Sequence, residues 1–120
     1  MPLPPPDGKN NLPILSHLSE CYKLWHSFFV RLPKSVRNTL GLKTDNLFIE
    51  CLKLSFSAAY AVRPNKIVLV KKLSAKFDFL KFFLKLLWEI KALDNNKYMV
   101  ISIKLAPIGK MLGGWLKNLT

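Results

Sequence analysis

The side chains with the clearest capacity for chemistry are lysines in helical register. Lys81 and Lys85 stand one helical turn apart, and Lys71 falls on the same polar edge, so on a helix their charges add in one direction. Lys110 and Lys117 repeat at a seven-residue step, and Lys34 with Arg37 adds charge near a break between helices. Rows of this kind suit phosphate oxygens. They equally describe a solvated helix face partly neutralised by Asp78 and Glu89, and spacing alone leaves both readings open.

Other chemistry finds little support. His17 precedes Cys21 by one turn, a spacing compatible with metal ligation, but no further His, Cys or carboxylate completes a site. His26 falls on a polar face, as expected of a surface residue rather than a general base. Gly113-Gly114 lies inside an apparent helix, so it does not form a phosphate loop, and the seven carboxylates lack the pairing that acid–base catalysis requires. The expectation is a protein with no catalytic centre, no metal and no cofactor.

The bulk numbers agree with a binding role. Nineteen Lys and Arg against seven Asp and Glu leave a formal charge of +12 on 120 residues, which favours polyanionic partners. Lysine outnumbers arginine 16 to 3, suiting backbone attraction better than bidentate base reading. Apolar runs are interrupted by Lys or Asp, so no membrane-spanning segment is expected. Residues 1–8 lack the basic start and apolar stretch of an export signal, and cytoplasmic residence follows as an expectation. Cys21 and Cys51 fall on apolar helix faces and are read as reduced core residues.

These side chains must be positioned by helices. Pro2, Pro4, Pro5, Pro6 and Gly8 make residues 1–12 a flexible leader, and residues 13–120 one domain. From Pro13, apolar residues recur at three- and four-residue steps through Leu18, Cys21, Trp25 and Leu32, predicting a first helix. Pro33 and residues 34–41 break it. Thr44 and Asp45 then offer a cap for a second helix to Val62, with Leu47, Phe48, Cys51, Leu54, Ala58 and Ala59 inward. A third helix is predicted over 66–93 on Leu69, Leu73, Phe77, Leu80, Leu84 and Leu87. Asp94-Asn95-Asn96 ends it and caps a fourth over 97–118, with Tyr98, Ile101, Leu105, Ile108, Leu112 and Trp115 inward. Four helices with short connections predict an all-α, antiparallel up-down-up-down bundle.

Two helices carry more apolar surface than such a bundle buries. Val68, Phe79, Phe82, Leu86 and Ile90 form a second stripe on the third helix, and Ile49, Phe56 and Tyr60 another on the second. Their burial between subunits is the expected use, although a wide core face would account for part of the excess. In the last helix Ser102, Ala106, Gly109 and Gly113 form a small-residue line suited to close helix approach, within the bundle or between copies.

Three segments carry a family resemblance: Leu32-Pro33-Lys34-Ser35-Val36-Arg37-Asn38-Thr39-Leu40-Gly41, Phe82-Phe83-Leu84-Lys85-Leu86-Leu87, and Ile108-Gly109-Lys110-Met111-Leu112-Gly113-Gly114-Trp115. In order and spacing, over about residues 14–118, the chain resembles the four-helix-bundle family of accessory variability determinant proteins of diversity-generating retroelements. That family also includes proteins encoded by intervening sequences in ribosomal RNA genes.

The resemblance implies a non-catalytic accessory protein. It would form a ring-like homo-oligomer, a pentamer, that binds reverse transcriptase and template RNA or RNA/DNA to support mutagenic cDNA synthesis. The family's basic positions fall on Lys81, Lys85, Lys110, Lys34 and Arg37. Pro107 departs from the family pattern, and a kink in the last helix is expected there. The alternatives are an intervening-sequence-type bundle with general nucleic-acid binding and a cationic protein of membrane surfaces.

Overall fold

The computed structural model describes residues 12–120, so the expected leader lies outside the described residues apart from Leu12. Four long helices follow: α1 (Leu12–Phe29), α2 ending with Leu42–Tyr60, α3 (Arg63–Glu89) and α4 (Asn95–Leu119). Among the described residues there is no strand. Helix α1 packs on α2 and α4, and α3 packs on α2 and α4, so sequence neighbours are spatial neighbours around a four-membered ring. This is the up-down-up-down bundle that short connections favour.

The start of α2 differs from the sequence expectation. Pro33 caps a turn over Lys34–Val36, which passes through a π-helical stretch, Arg37–Gly41, directly into Leu42–Tyr60. The expected break at 34–41 is therefore helical, and Thr44 and Asp45 are buried inside α2 rather than capping it. Thr44 Oγ1 donates back to the Leu40 carbonyl at 2.8 Å, which supplies locally what its hydroxyl needs. Glycine is required in the wide turn: a Cβ on Gly41 would stand 2.9 Å from Leu32 Cδ1 and 2.9 Å from the Val36 carbonyl oxygen.

Helix α3 begins at Arg63, with Pro64 in its first turn where a missing N–H costs nothing, earlier than the predicted Lys66. It stops at Glu89 rather than Leu93. Lys91 adopts φ 65°, and the amides of Ala92 and Leu93 turn back to the Leu87 carbonyl at 2.8 and 3.1 Å. Asp94 caps α4 as the sequence predicts, accepting from the Lys97 amide at 2.8 Å. Helix α4 then runs through Pro107 without interruption.

Inside the ring, Trp25 stacks on Phe48 at 5.7 Å between centroids and on Phe29 at 5.6 Å. Leu18, Leu73, Leu80, Leu87, Ile101 and Ile108 are fully enclosed around them. Truncating one such Leu to Ala costs about 2–5 kcal/mol, because the cavity left behind collapses only in part. On α3 Leu69 is half-buried, and Val70 takes the enclosed place expected for it.

By length and composition alone, α4 would be long and apolar enough to cross a membrane. Within the bundle, the inner face of α4 supplies Ile101, Leu105, Ile108, Leu112 and Trp115 to the core.

Candidate nucleic-acid interface

Helices α3 and α4 run antiparallel along a seam marked by two contacts. Trp88 stacks on Tyr98 with centroids 5.0 Å apart and planes 12° from parallel, and a Cβ on Gly109 would lie 3.6 Å from Phe77. At 100° per residue, Lys81, Lys85 and Lys71 follow Phe77 and Trp88 outward from this seam on α3. On α4 the line Ser102, Ala106, Gly109 and Gly113 borders the seam, and Lys110 and Lys117 stand on its solvent side. All five lysines are exposed. Two rows of positive charge thus flank a strip of small residues.

Lys81 is the most engaged of the five. Its Nζ lies 3.6 Å from Asp78 Oδ1 and 5.2 Å from the centre of the Phe77 ring. The ion pair is solvent-exposed and contributes little stability, so an incoming anion can displace Asp78 at small cost. Lys81 also lines a cavity of about 260 Å³ with Leu84, Tyr98, Ser102, Leu105 and Ala106.

Lys34 and Arg37 do not join this group. They stand at the α1–α2 connection, and Arg37, half-buried as a residue, donates from its guanidinium to the Val30 carbonyl at 3.2 Å in an exposed hydrogen bond. That bond closes the corner between α1 and α2, a structural task the sequence gives no sign of.

The two apolar stripes remain exposed on the single chain. Val68, Phe79, Phe82 and Ile90 are 52–57% exposed, and Leu86 is half-buried. Ile49, Phe56 and Tyr60 are 37–39% exposed, with the Phe56 and Tyr60 rings 4.8 Å apart. Helical periodicity puts this trio on the flank of α2 nearest Asp45 and α1, whereas the α3 stripe faces outward. They are two separate surfaces. A third lies on the outside of α4 at Met99, Val100 and Ile103.

His17 is exposed and Cys21 enclosed, so these two do not share a site. Among the described residues no group of three or more His, Cys, Asp or Glu could hold a metal ion. Burial pushes the Cys21 thiol up to about 11, with Lys104 opposing and Glu20 reinforcing the shift. Burial likewise pushes the Cys51 thiol up to about 12, against Lys76 and with Glu50. Both cysteines are protonated packing residues at neutral pH.

Two relationships escaped sequence reasoning. One is the buried Trp25–Asp45 hydrogen bond, and the other is the Trp88–Tyr98 pair, held where Trp88 Nε1 donates to Asn95 Oδ1 at 2.7 Å. The only available signal for the second was two aromatics flanking the Asp94-Asn95-Asn96 turn.

Fold and surface together define the class of protein: an all-α four-helix bundle of strongly basic composition, with lysine rows along one seam and exposed apolar stripes on two helices. The family model described as bAvd-like matches residues 14–119, the whole described bundle but for its outermost residues. The chain belongs to that family, the bacterial accessory variability determinant type. No curated protein matches the chain.

Proposed function

We propose that this chain is a non-catalytic accessory protein of a diversity-generating retroelement. Several copies, five by analogy with the family, would present their lysine rows to template RNA or RNA/DNA while binding the reverse transcriptase. The assembly supports mutagenic cDNA synthesis in the cytoplasm without being the polymerase. The family match over residues 14–119 is the observation that carries this assignment. A net charge of +12 and the five exposed lysines beside the α3–α4 seam support it.

Binding to the phosphate backbone is expected to be mainly electrostatic. RNA affinity should fall steeply with added salt, because each neutralised phosphate releases counterions. Mobility-shift titrations at two salt concentrations test this. Changing Lys81→Glu with Lys85→Glu should weaken RNA binding by at least about tenfold, at a few phosphate contacts removed, and leave the helical spectrum intact. A salt-independent affinity, or no affinity for RNA or reverse transcriptase, overturns the assignment.

A further inference from the structure

We propose that the cavity between α3 and α4 receives an unpaired nucleobase, whose adjoining phosphate is held by Lys81 and Lys85. The proposal rests on the nucleic-acid function above and adds a mode of recognition that lysine rows by themselves do not provide.

The cavity holds about 260 Å³ and is walled by Leu84, Leu105 and Ala106, with Tyr98 at one side. The lining residues that carry polar groups are Ser102 and Tyr98, each with a hydroxyl, and Lys81 with its ammonium. A flat, largely apolar ring with hydrogen-bonding edges fits that lining, and an anion on the same ligand fits the rim. Tyr98 is also held in place beforehand. Its ring stacks on Trp88 at 5.0 Å, and Trp88 is anchored in turn by its 2.7 Å hydrogen bond to Asn95. An aromatic surface fixed in this way loses little conformational freedom when a base lies against it.

The rim supplies the charge. Lys81 borders the cavity, and Lys85 follows one turn later on the same edge of α3. Asp78 competes for Lys81 only through an exposed 3.6 Å pair, which a phosphate can replace. A base locked in a duplex stack cannot enter a cavity between two helices, so the pocket selects single-stranded over double-stranded nucleic acid. The positive field over the seam favours this anionic ligand over an uncharged apolar side chain of a protein partner.

The test compares a single-stranded RNA with the same strand annealed to its complement, at one salt concentration, on the full-length protein. A 2-aminopurine in the single strand reports stacking. Tyr98→Ala should weaken single-strand binding about tenfold and leave duplex binding unchanged, consistent with the loss of one base–aromatic stack. Ala106→Leu, which fills the cavity from an exposed position, should do the same, and Tyr98→Phe should retain wild-type affinity. The 2-aminopurine fluorescence should be quenched by wild type and by Tyr98→Phe, but not by Tyr98→Ala. Unchanged single-strand affinity in both Tyr98→Ala and Ala106→Leu, while Lys81→Glu still lowers it, overturns the pocket and leaves the electrostatic function standing. Equal losses for single strand and duplex also overturn the pocket. Failure of wild type to bind either RNA overturns both proposals.

Discussion

The Trp25 indole N–H donates to Asp45 Oδ1 at 3.0 Å inside the bundle, joining the last turns of α1 to the interior of α2. Asp45 is only 8% exposed, and the Tyr22 hydroxyl is a second partner for it. A carboxylate is tolerated there because these donors replace the water it gives up. Asp45→Ala leaves the indole N–H without an acceptor and should cost about 1–3 kcal/mol in urea unfolding. Asp45→Asn keeps a carbonyl oxygen in the same place and should cost less. Equal costs would show that a neutral acceptor of the same shape does not replace the carboxylate, so that its charge is what the site uses.

The two thiols make alkaline stability a readout of packing. Burial raises Cys21 to about 11 and Cys51 to about 12 from the ordinary 9.0, so the fold accepts the protonated form. Their contribution is fully present below about pH 9 and is lost as pH rises toward the folded values, because the unfolded chain ionises first. Urea midpoints should therefore fall above about pH 9. The fall should be shallower in a Cys21→Ala, Cys51→Ala double variant at matched pH. A thiol reagent at about pH 8 should label neither cysteine until the bundle unfolds.

Lys91 occupies the left-handed region at φ 65°, where a side chain crowds the backbone and glycine does not. Lys91→Gly should stabilise the protein by roughly 0.5–1 kcal/mol, seen as a higher thermal midpoint. An unchanged or lower midpoint would mean that the lysine side chain contributes as much as the strain costs.

Glycines in one chain should respond in opposite directions. At Gly41 a Cβ meets Leu32 and the Val36 carbonyl oxygen at 2.9 Å each, so Gly41→Ala should destabilise by about 1–3 kcal/mol. Gly113 has nothing within 4 Å of a Cβ, and Gly113→Ala should add up to about 1 kcal/mol through helix propensity. Loss of self-association in Gly113→Ala, with the monomer stabilised, would show that another copy packs against this line.

Phe79 and Phe82, at 57% and 53% exposure, test the proposed assembly. Changing both to Glu should bring the light-scattering mass down to that of one chain and leave the helical spectrum unchanged, since neither ring belongs to the enclosed core. A wild-type protein that already scatters as a monomer removes the oligomer from the proposed function.

The sequence by itself determined the helices and their inner faces. Leu73, Phe77, Leu80, Leu84 and Leu87 on α3, and Ile101, Leu105, Ile108 and Leu112 on α4, are spaced by the helical repeat, and repetition along one element is a local property. Asp94 could be read as a cap for the same reason, because its partner is three residues away. The family resemblance, too, rested on segments that each lie within one stretch of chain.

What only the tertiary structure decided depends on residues far apart in sequence. Thr44 and Asp45 have cap chemistry, and their place inside α2 follows from Trp25 and from Gly41, which lets the backbone widen and continue. Lys34 and Arg37 carry the same charge as Lys81 and Lys85, yet they stand at another connection, and Arg37 is committed to Val30. The cavity beside Lys81 exists only because Leu84 of α3 and Tyr98, Ser102, Leu105 and Ala106 of α4 leave space between two helices. Periodicity tells which face of a helix turns inward, but it carries no record of which neighbour that face meets, and a site shared by two helices is made of that neighbour relation.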